Sequence, residues 1–346
     1  MRNKLHVFIK QFGLPRIIIV SFLLSLCVLA IIYNLSIAGL LSDTLVRTGM
    51  HGVLVLAMVP GILCGIGLNF GLPLGILCGL IGGLISIELD LVGFTALFTA
   101  ILVSIPIAVV VGWGYGILLN KVKGSEMMVA TYAGFSAVSL MSIGWMILPF
   151  KSDEIAWIIG GGLRTTITLT ERYDKILNNF AAINIGNLTI PTGLLLFLIT
   201  MNFIVWIILR SKAGIAMKAV GDNPRFATAS GLNVNKYRIF GAILSTVLGA
   251  IGIIVYSQSF GFIQLYQAPM FMGFSAVAAI LIGGATVKKA SISHVFIGTF
   301  LFQGLLVVAL PVANKMLTEG SLAEITRIIV SNGIILYALT QVGGGE

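Results

Sequence analysis

Charge is what this sequence has least of. Only 10% of its 346 residues are Asp, Glu, Lys or Arg, against roughly 25% in soluble domains. That shortage excludes an ordinary soluble protein and leaves little room for a soluble domain. Acids are scarcer still, 12 against 21 bases, for a formal net charge of +9. In a chain this apolar such an excess points to basic cytoplasmic loops rather than to nucleic acid. The three cysteines, Cys27, Cys64 and Cys78, lie inside apolar runs. They exclude a disulfide framework, and no Cys-x-x-Cys or Cys/His spacing offers a metal site. His6, His51 and His294 are isolated and read as interfacial or packed residues. A G-x-x-x-x-G-K-[ST] loop is missing, so the chain has no P-loop nucleotide site.

What is present is apolar surface: 58% hydrophobic residues and a mean hydropathy of +1.07. The 41 glycines follow no three-residue period and suit close helix packing in lipid. A spanning helix needs about 20 apolar residues. Such runs cover Ile17–Leu40, Leu45–Gly65, Asn69–Ile87, Val92–Leu119, Met127–Pro149, Ile190–Leu209, Ile239–Ser259, Met270–Val287, Ile292–Leu310 and Ile325–Gln341. The expected fold is an all-α integral membrane protein of about ten transmembrane helices, one polytopic domain over residues 1–346. The basic N-terminus resembles a signal peptide, but its long apolar run has no obvious cleavage site and reads as a retained helix.

With the N-terminus inside, the inner segments hold 14 of the 21 Lys and Arg, and the outer segments hold nine of the 12 acids. The positive-inside rule supports that orientation. It makes both termini cytoplasmic, residues 150–189 extracytoplasmic, and residues 211–238 a cytoplasmic loop. No span carries an Asp or Glu near its centre, where ion-coupled carriers place their coupling groups. If transport is driven, the energy must come from another subunit through a cytoplasmic contact. A secondary carrier or facilitator is the alternative. A membrane-embedded enzyme would need clustered His, Asp or Arg at one face, and the nearest cluster, Arg164 to Lys175, has no His or Cys.

Two stretches stand out. Glycine recurs every fourth residue at Gly67, Gly71, Gly75, Gly79 and Gly83, a bare stripe for a neighbouring backbone. Asn69 and Pro73 interrupt it, and Pro73 removes a helix hydrogen bond. A broken helix is expected near residues 66–75, with Asn69, Phe70, Gly71 and Pro73 packed or lining a solute path. Gln264 and Tyr266 stand at the outer end of the seventh run, as a pore mouth or as an interfacial belt. The second stretch is Lys212 to Arg238. Asn223 is placed to cap a short helix whose first residue is Pro224 and which ends at Gly231. The expectation is a basic helix pair held just outside the membrane.

Lys218-Ala-Val-Gly-Asp-Asn-Pro-Arg225, followed by Ala229-Ser-Gly-Leu-Asn-Val234 and Lys236, resembles the cytoplasmic loop of permeases in the ABC importer family for ribose-type sugars, nucleosides and branched-chain amino acids. Leu68-Asn-Phe-Gly-Leu-Pro-Leu-Gly75 is similar to the family's broken-helix segment; Asn69 and Gly71 follow its nucleoside branch, and Pro73 replaces that branch's Glu. Gly124-Ser-Glu-Met-Met-Val-Ala-Thr131 is also similar to the nucleoside branch, whereas Ile282-Gly-Gly-Ala-Thr286 is nearer the sugar branch. The resemblance implies a bacterial cytoplasmic-membrane permease subunit without catalytic residues or cofactor of its own, importing a nucleoside or simple sugar. It implies a second permease subunit, an extracytoplasmic solute-binding protein, and two cytoplasmic ATPases that hold ATP and Mg. Lys218, Gly221, Asp222, Asn223, Pro224 and Arg225 would couple to those ATPases. An inverted repeat is implied too, though the residues alone do not display it.

Overall fold

The computed structural model describes residues 14–157 and 161–316, with the pairs 328–329, 332–333 and 335–336. Most of the expected tenth span falls outside these residues. The first helix, α1, runs Leu14–Ile32. It stops eight residues before the expected Leu40, because Asn34 takes a left-handed conformation (φ 54°) and the Leu35 amide closes back on the Ala30 carbonyl, a common helix ending. Ser36 then caps α2, Ile37–Leu56, by accepting from the Gly39 amide. After a kink at Ala57 comes α3, Met58–Leu63; Pro60 cannot donate to the Leu56 carbonyl, which explains the kink. The two form one 27-residue span, Ile37–Leu63.

The remaining long helices are α4 (Leu72–Glu88), α5 (Gly93–Lys121) and α6 (Glu126–Ile147). A connecting region holds a short α7 (Ile176–Asn179) and leads to α8 (Thr192–Arg210). The chain continues through α9 (Lys212–Asp222), α10 (Pro224–Ala229), α11 (Val234–Phe260), α12 (Ala268–Ile282) and α13 (Ile292–Met316). Among the described residues, six helices are long and apolar enough to cross a membrane, the α2–α3 span counted as one. Their outward faces carry large apolar side chains such as Leu102, Val110, Leu140 and Ile147, each about two-thirds or more exposed. A surface of that kind is stable against hydrocarbon rather than water. The chain is a multi-pass membrane protein.

The 17-residue α4 and the 15-residue α12 rise only about 25 and 22 Å, short of a ~30 Å hydrocarbon core. A non-helical segment precedes each, Cys64–Gly71 before α4 and Gly261–Gln267 before α12, and each short helix has a proline in its first turn, Pro73 and Pro269. The pairing of the neighbours is reciprocal. Helix α11 packs on α5 and α4, and α2 packs on α13 and α12. The 27-residue α2–α3 span matches α11, α4 matches α12, and α5 matches α13. The two non-helical segments start at opposite ends of the molecule, an arrangement that fits the inverted repeat the resemblance implies.

The glycine stripe divides at the break. Gly75 and Gly79 sit on the backbone carbonyls of Thr246 and Ala250 in α11, where any Cβ would overlap them. Residues 150–189, expected as a loop, hold short strands, so the fold is helical with small β additions. β1 (Thr166–Thr168) pairs antiparallel with β4 (Phe262–Gln264), and β2 (Ile183–Ile185) with β3 (Leu188–Ile190). Arg172 fastens this region: it forks onto Glu154 at 2.7 and 3.0 Å and reaches Asp90 at 2.6 Å. Its bonds to Glu154, and then Asp90, hold its pKa above the ordinary arginine value.

Candidate functional site

The helix pair α9–α10 forms as its local residues dictate. Ser211 caps α9 at the Gly214 amide. Asn223 caps α10 at the Phe226 amide, 3.0 Å away, and Pro224 occupies its first position. Gly231, at φ 79°, follows the end of α10, where the Leu232 amide returns to the Ala227 carbonyl. The inner face of α9 buries Met217 and Val220 almost completely. Asp222, Asn223, Pro224 and Arg225 are exposed, with Lys218 and Gly221 partly so. The tip also displays an apolar side chain the sequence reading passed over, Phe226, 66% exposed.

The pair rests on the broken helix. Gly221 lies so close to the end of α3 that a Cβ there would overlap the Leu63 carbonyl oxygen and stand 2.9 Å from the Gly65 amide nitrogen. From this contact, Cys64–Gly71 runs irregularly to mid-depth. Pro73 does not break a helix, as expected, but starts one, in a turn where a missing N–H costs nothing. The Asn69 carbonyl accepts from the Leu72 amide at 3.3 Å.

Asn69 is 2% exposed, and both ends of its amide bond to protein. Its Oδ1 accepts from the Tyr115 hydroxyl at 2.6 Å and the Gly71 amide at 3.0 Å. Its Nδ2 donates to Ser245 Oγ at 2.7 Å, and that hydroxyl donates onward to the Ala57 carbonyl at the α2–α3 kink. Ser245 lies 11 residues into α11, roughly 16 Å from its start. Irregular backbone at such depth is stable only when protein satisfies it, and Asn69 helps by taking the Gly71 amide while bonding α5 and α11, with Ser245 extending the link to the kink. Phe70 and Pro73 pack between Gly134 of α6 and Gly273 of α12, and Phe70 meets Phe274 at a centroid distance of 5.4 Å.

A second tie joins the same region. Arg238, counted among the loop cations, is 6% exposed. It donates to Glu126 at 2.5 Å, to Asn120 Oδ1 at 3.0 Å and to the Gly65 carbonyl at 3.2 Å. One guanidinium therefore holds α5, α6 and α11 to the first residues of the break. Each of its three nitrogens donates one bond, which lowers the desolvation cost of a buried cation.

Gln264 and Tyr266 lie at the other end, in the second non-helical segment. Gln264 pairs with Thr166 across β1–β4, and the Tyr266 hydroxyl donates to the Leu163 carbonyl at 2.8 Å. Together with Ser142 and Gln267 they line an open groove of about 480 Å³. The structure thus gathers Asn69, Phe70, Gly71 and Pro73 in the broken helix, whose first residues meet the helix pair, and separates them from Gln264 and Tyr266.

A family model described as branched-chain amino acid transport system / permease component matches residues 13–339. A nucleoside ABC transporter permease protein of Lactococcus lactis is 32% identical over 103 residues, 30% of this chain and 32% of the relative. A second nucleoside ABC transporter permease of that organism is 23% identical over 247 residues, 69% of this chain and 64% of the relative. The galactofuranose transporter permease of Escherichia coli is 24% identical over 236 residues, 67% and 65% of the two chains. The chain spans less than two-thirds of the length of these curated relatives. No solved structure gives a significant match.

Proposed function

This chain belongs to the family of permease components of branched-chain amino acid transport systems, and from that premise we propose that it is the membrane-spanning subunit of an ATP-driven importer for a small polar solute, a nucleoside or a simple sugar. Its spans number ten, both termini and the α9–α10 pair face the cytoplasm, and residues 150–189 face outward, as the distribution of Lys and Arg favours. The membrane is the bacterial cytoplasmic membrane. Its partners are a second permease subunit, an outer solute-binding protein, and two ATPases that hold the ATP and Mg. The relatives' names favour a nucleoside or a furanose sugar as cargo.

The observation that carries this reading is the seating of Gly221 on Leu63–Gly65. The outer face of the helix pair, with Phe226 and Arg225, is available to an ATPase groove, while its inner face bears on the break without an intervening side chain. Closure of the ATPases pushes α9. The push reaches Gly65, and the Arg238 and Asn69 ties pass it to α5, α6 and α11. Lys218 and Arg225 pair with ATPase acids, and Asn223 and Pro224 keep the corner stiff. In this mechanism Asn69 positions the path wall, whose solute-facing atoms come from Phe70 and its neighbours. The test is co-purification with the cognate ATPase. Pro224→Gly combined with Arg225→Glu is expected to lose the ATPase while inserting normally in the membrane, and unchanged co-purification would count against the docking role.

A further inference from the structure

A cavity of about 500 Å³ opens at the end of the molecule opposite the helix pair, between α2, α11, α12 and α13. Asp43, Arg47 and His51 recur every four residues along α2 and so form one helix face; all three line it. Asp43 and Arg47 are exposed at its mouth. His51 lies 14 residues into α2, about 20 Å along it, with its ring edge-on to Tyr256 at 5.2 Å. Gln303 of α13 forms part of the wall. It is only 2% exposed, and its Oε1 has no hydrogen-bond partner among the described residues. A buried amide oxygen left without a donor is costly, and Gln303 lines a cavity large enough for a small ligand. Tyr256 and Phe302 supply flat apolar walls beside it.

We infer that this cavity is a solute-holding site for a neutral, hydroxylated ring, within a single permease subunit and reached from the side of residues 150–189. The Gln303 side chain turns its orphan oxygen into the cavity to accept from a ring hydroxyl, and the aromatic walls cover the ring's apolar face. The mouth residues Asp43 and Arg47 offer an acceptor and a donor to the remaining hydroxyls. The chemistry is shared by a free sugar and by the sugar part of a nucleoside. The assignment rests on the importer reading for the direction of entry but not for the binding itself.

The test uses the full chain in liposomes, with Ser275→Cys placed in the cavity wall and labelled by a membrane-impermeant maleimide. Ribose and adenosine are the two probes. Slower labelling with ribose assigns a sugar site, and slower labelling with adenosine alone assigns a nucleoside site. Gln303→Leu should raise the half-protecting concentration about tenfold, and Gln303→Asn should recover part of that loss. Labelling that neither probe slows overturns the proposal, whether or not Gln303→Leu folds. ATP-driven uptake by the complex with its partners is measured in parallel. Protection without driven uptake would reject the importer reading and keep the site; driven uptake without protection would do the reverse.

Discussion

Replacing Gly221 by alanine tests the link between the helix pair and the broken helix. The added methyl would overlap the Leu63 carbonyl oxygen and press on the Gly65 amide. Both are backbone atoms, so neither can swing aside as a side chain would. Helix α9 must therefore lift from the break. Overpacking a close contact of this kind costs about 1–3 kcal/mol, which disfavours the seated arrangement about 5- to 150-fold. The outer face of the pair is untouched, so ATPase docking and ATP hydrolysis should persist. The expected result is a fall in solute moved per ATP hydrolysed, by at least about fivefold, in liposomes carrying the variant with its ATPases and binding protein. Gly114→Ala is the control: its added methyl meets open space among the described residues, and the change should be neutral or slightly stabilising. Wild-type stoichiometry in Gly221→Ala would refute the transmission route, because the methyl cannot be accommodated without moving that contact.

The other expectations concern the buried ties. Asn69→Leu strands the Tyr115 hydroxyl and the Gly71 amide, each worth about 1–3 kcal/mol when orphaned, while Ser245 Oγ loses one donor but keeps its bond to the Ala57 carbonyl. It should lower the melting temperature in detergent and reduce uptake without changing which solutes compete; altered selectivity with unchanged stability would instead place Asn69 on the solute. Removing one partner of the Arg238–Glu126 pair should cost about 3–5 kcal/mol. Replacing both by methionine should cost much less than the sum of the single changes, and a double-mutant cycle on thermal stability measures that difference. Asn223→Ala removes the α10 cap, worth about 1 kcal/mol. It should weaken ATPase binding several-fold, as titrated with the isolated ATPase, without lowering the amount of permease in the membrane.

The spans were legible because apolar length is a local property of the chain. Their ends were less so. Ile17–Leu40 reads as one run by composition, yet the left-handed Asn34 and the Ser36 cap divide it. The corner at Gly221–Pro224 was legible because a cap and a proline act within four residues. The roles of Asn69 and Arg238 were not, because their partners are distant. Tyr115 and Ser245 lie 46 and 176 residues from Asn69, and Glu126 lies 112 from Arg238. Counting charges by segment treats every cation as solvated, so it could not find a buried one. The inverted repeat was invisible for a different reason. It lies in the order of helix lengths, which apolar runs of similar composition do not display, although Pro73 and Pro269 were there to be read. His51 looked isolated for want of a sequence neighbour of matching chemistry, although its four-residue spacing from Arg47 and Asp43 was there to be read.

The central claim is that this permease moves solute only when work is delivered through α9–α10. Uptake into liposomes containing the chain, with and without the ATPases, binding protein and ATP, and with an imposed proton or sodium gradient, tests it most directly. The account predicts accumulation only when ATPases, binding protein and ATP are all present, and none from the gradient alone. Gradient-driven accumulation by the chain by itself would contradict it and identify a secondary carrier.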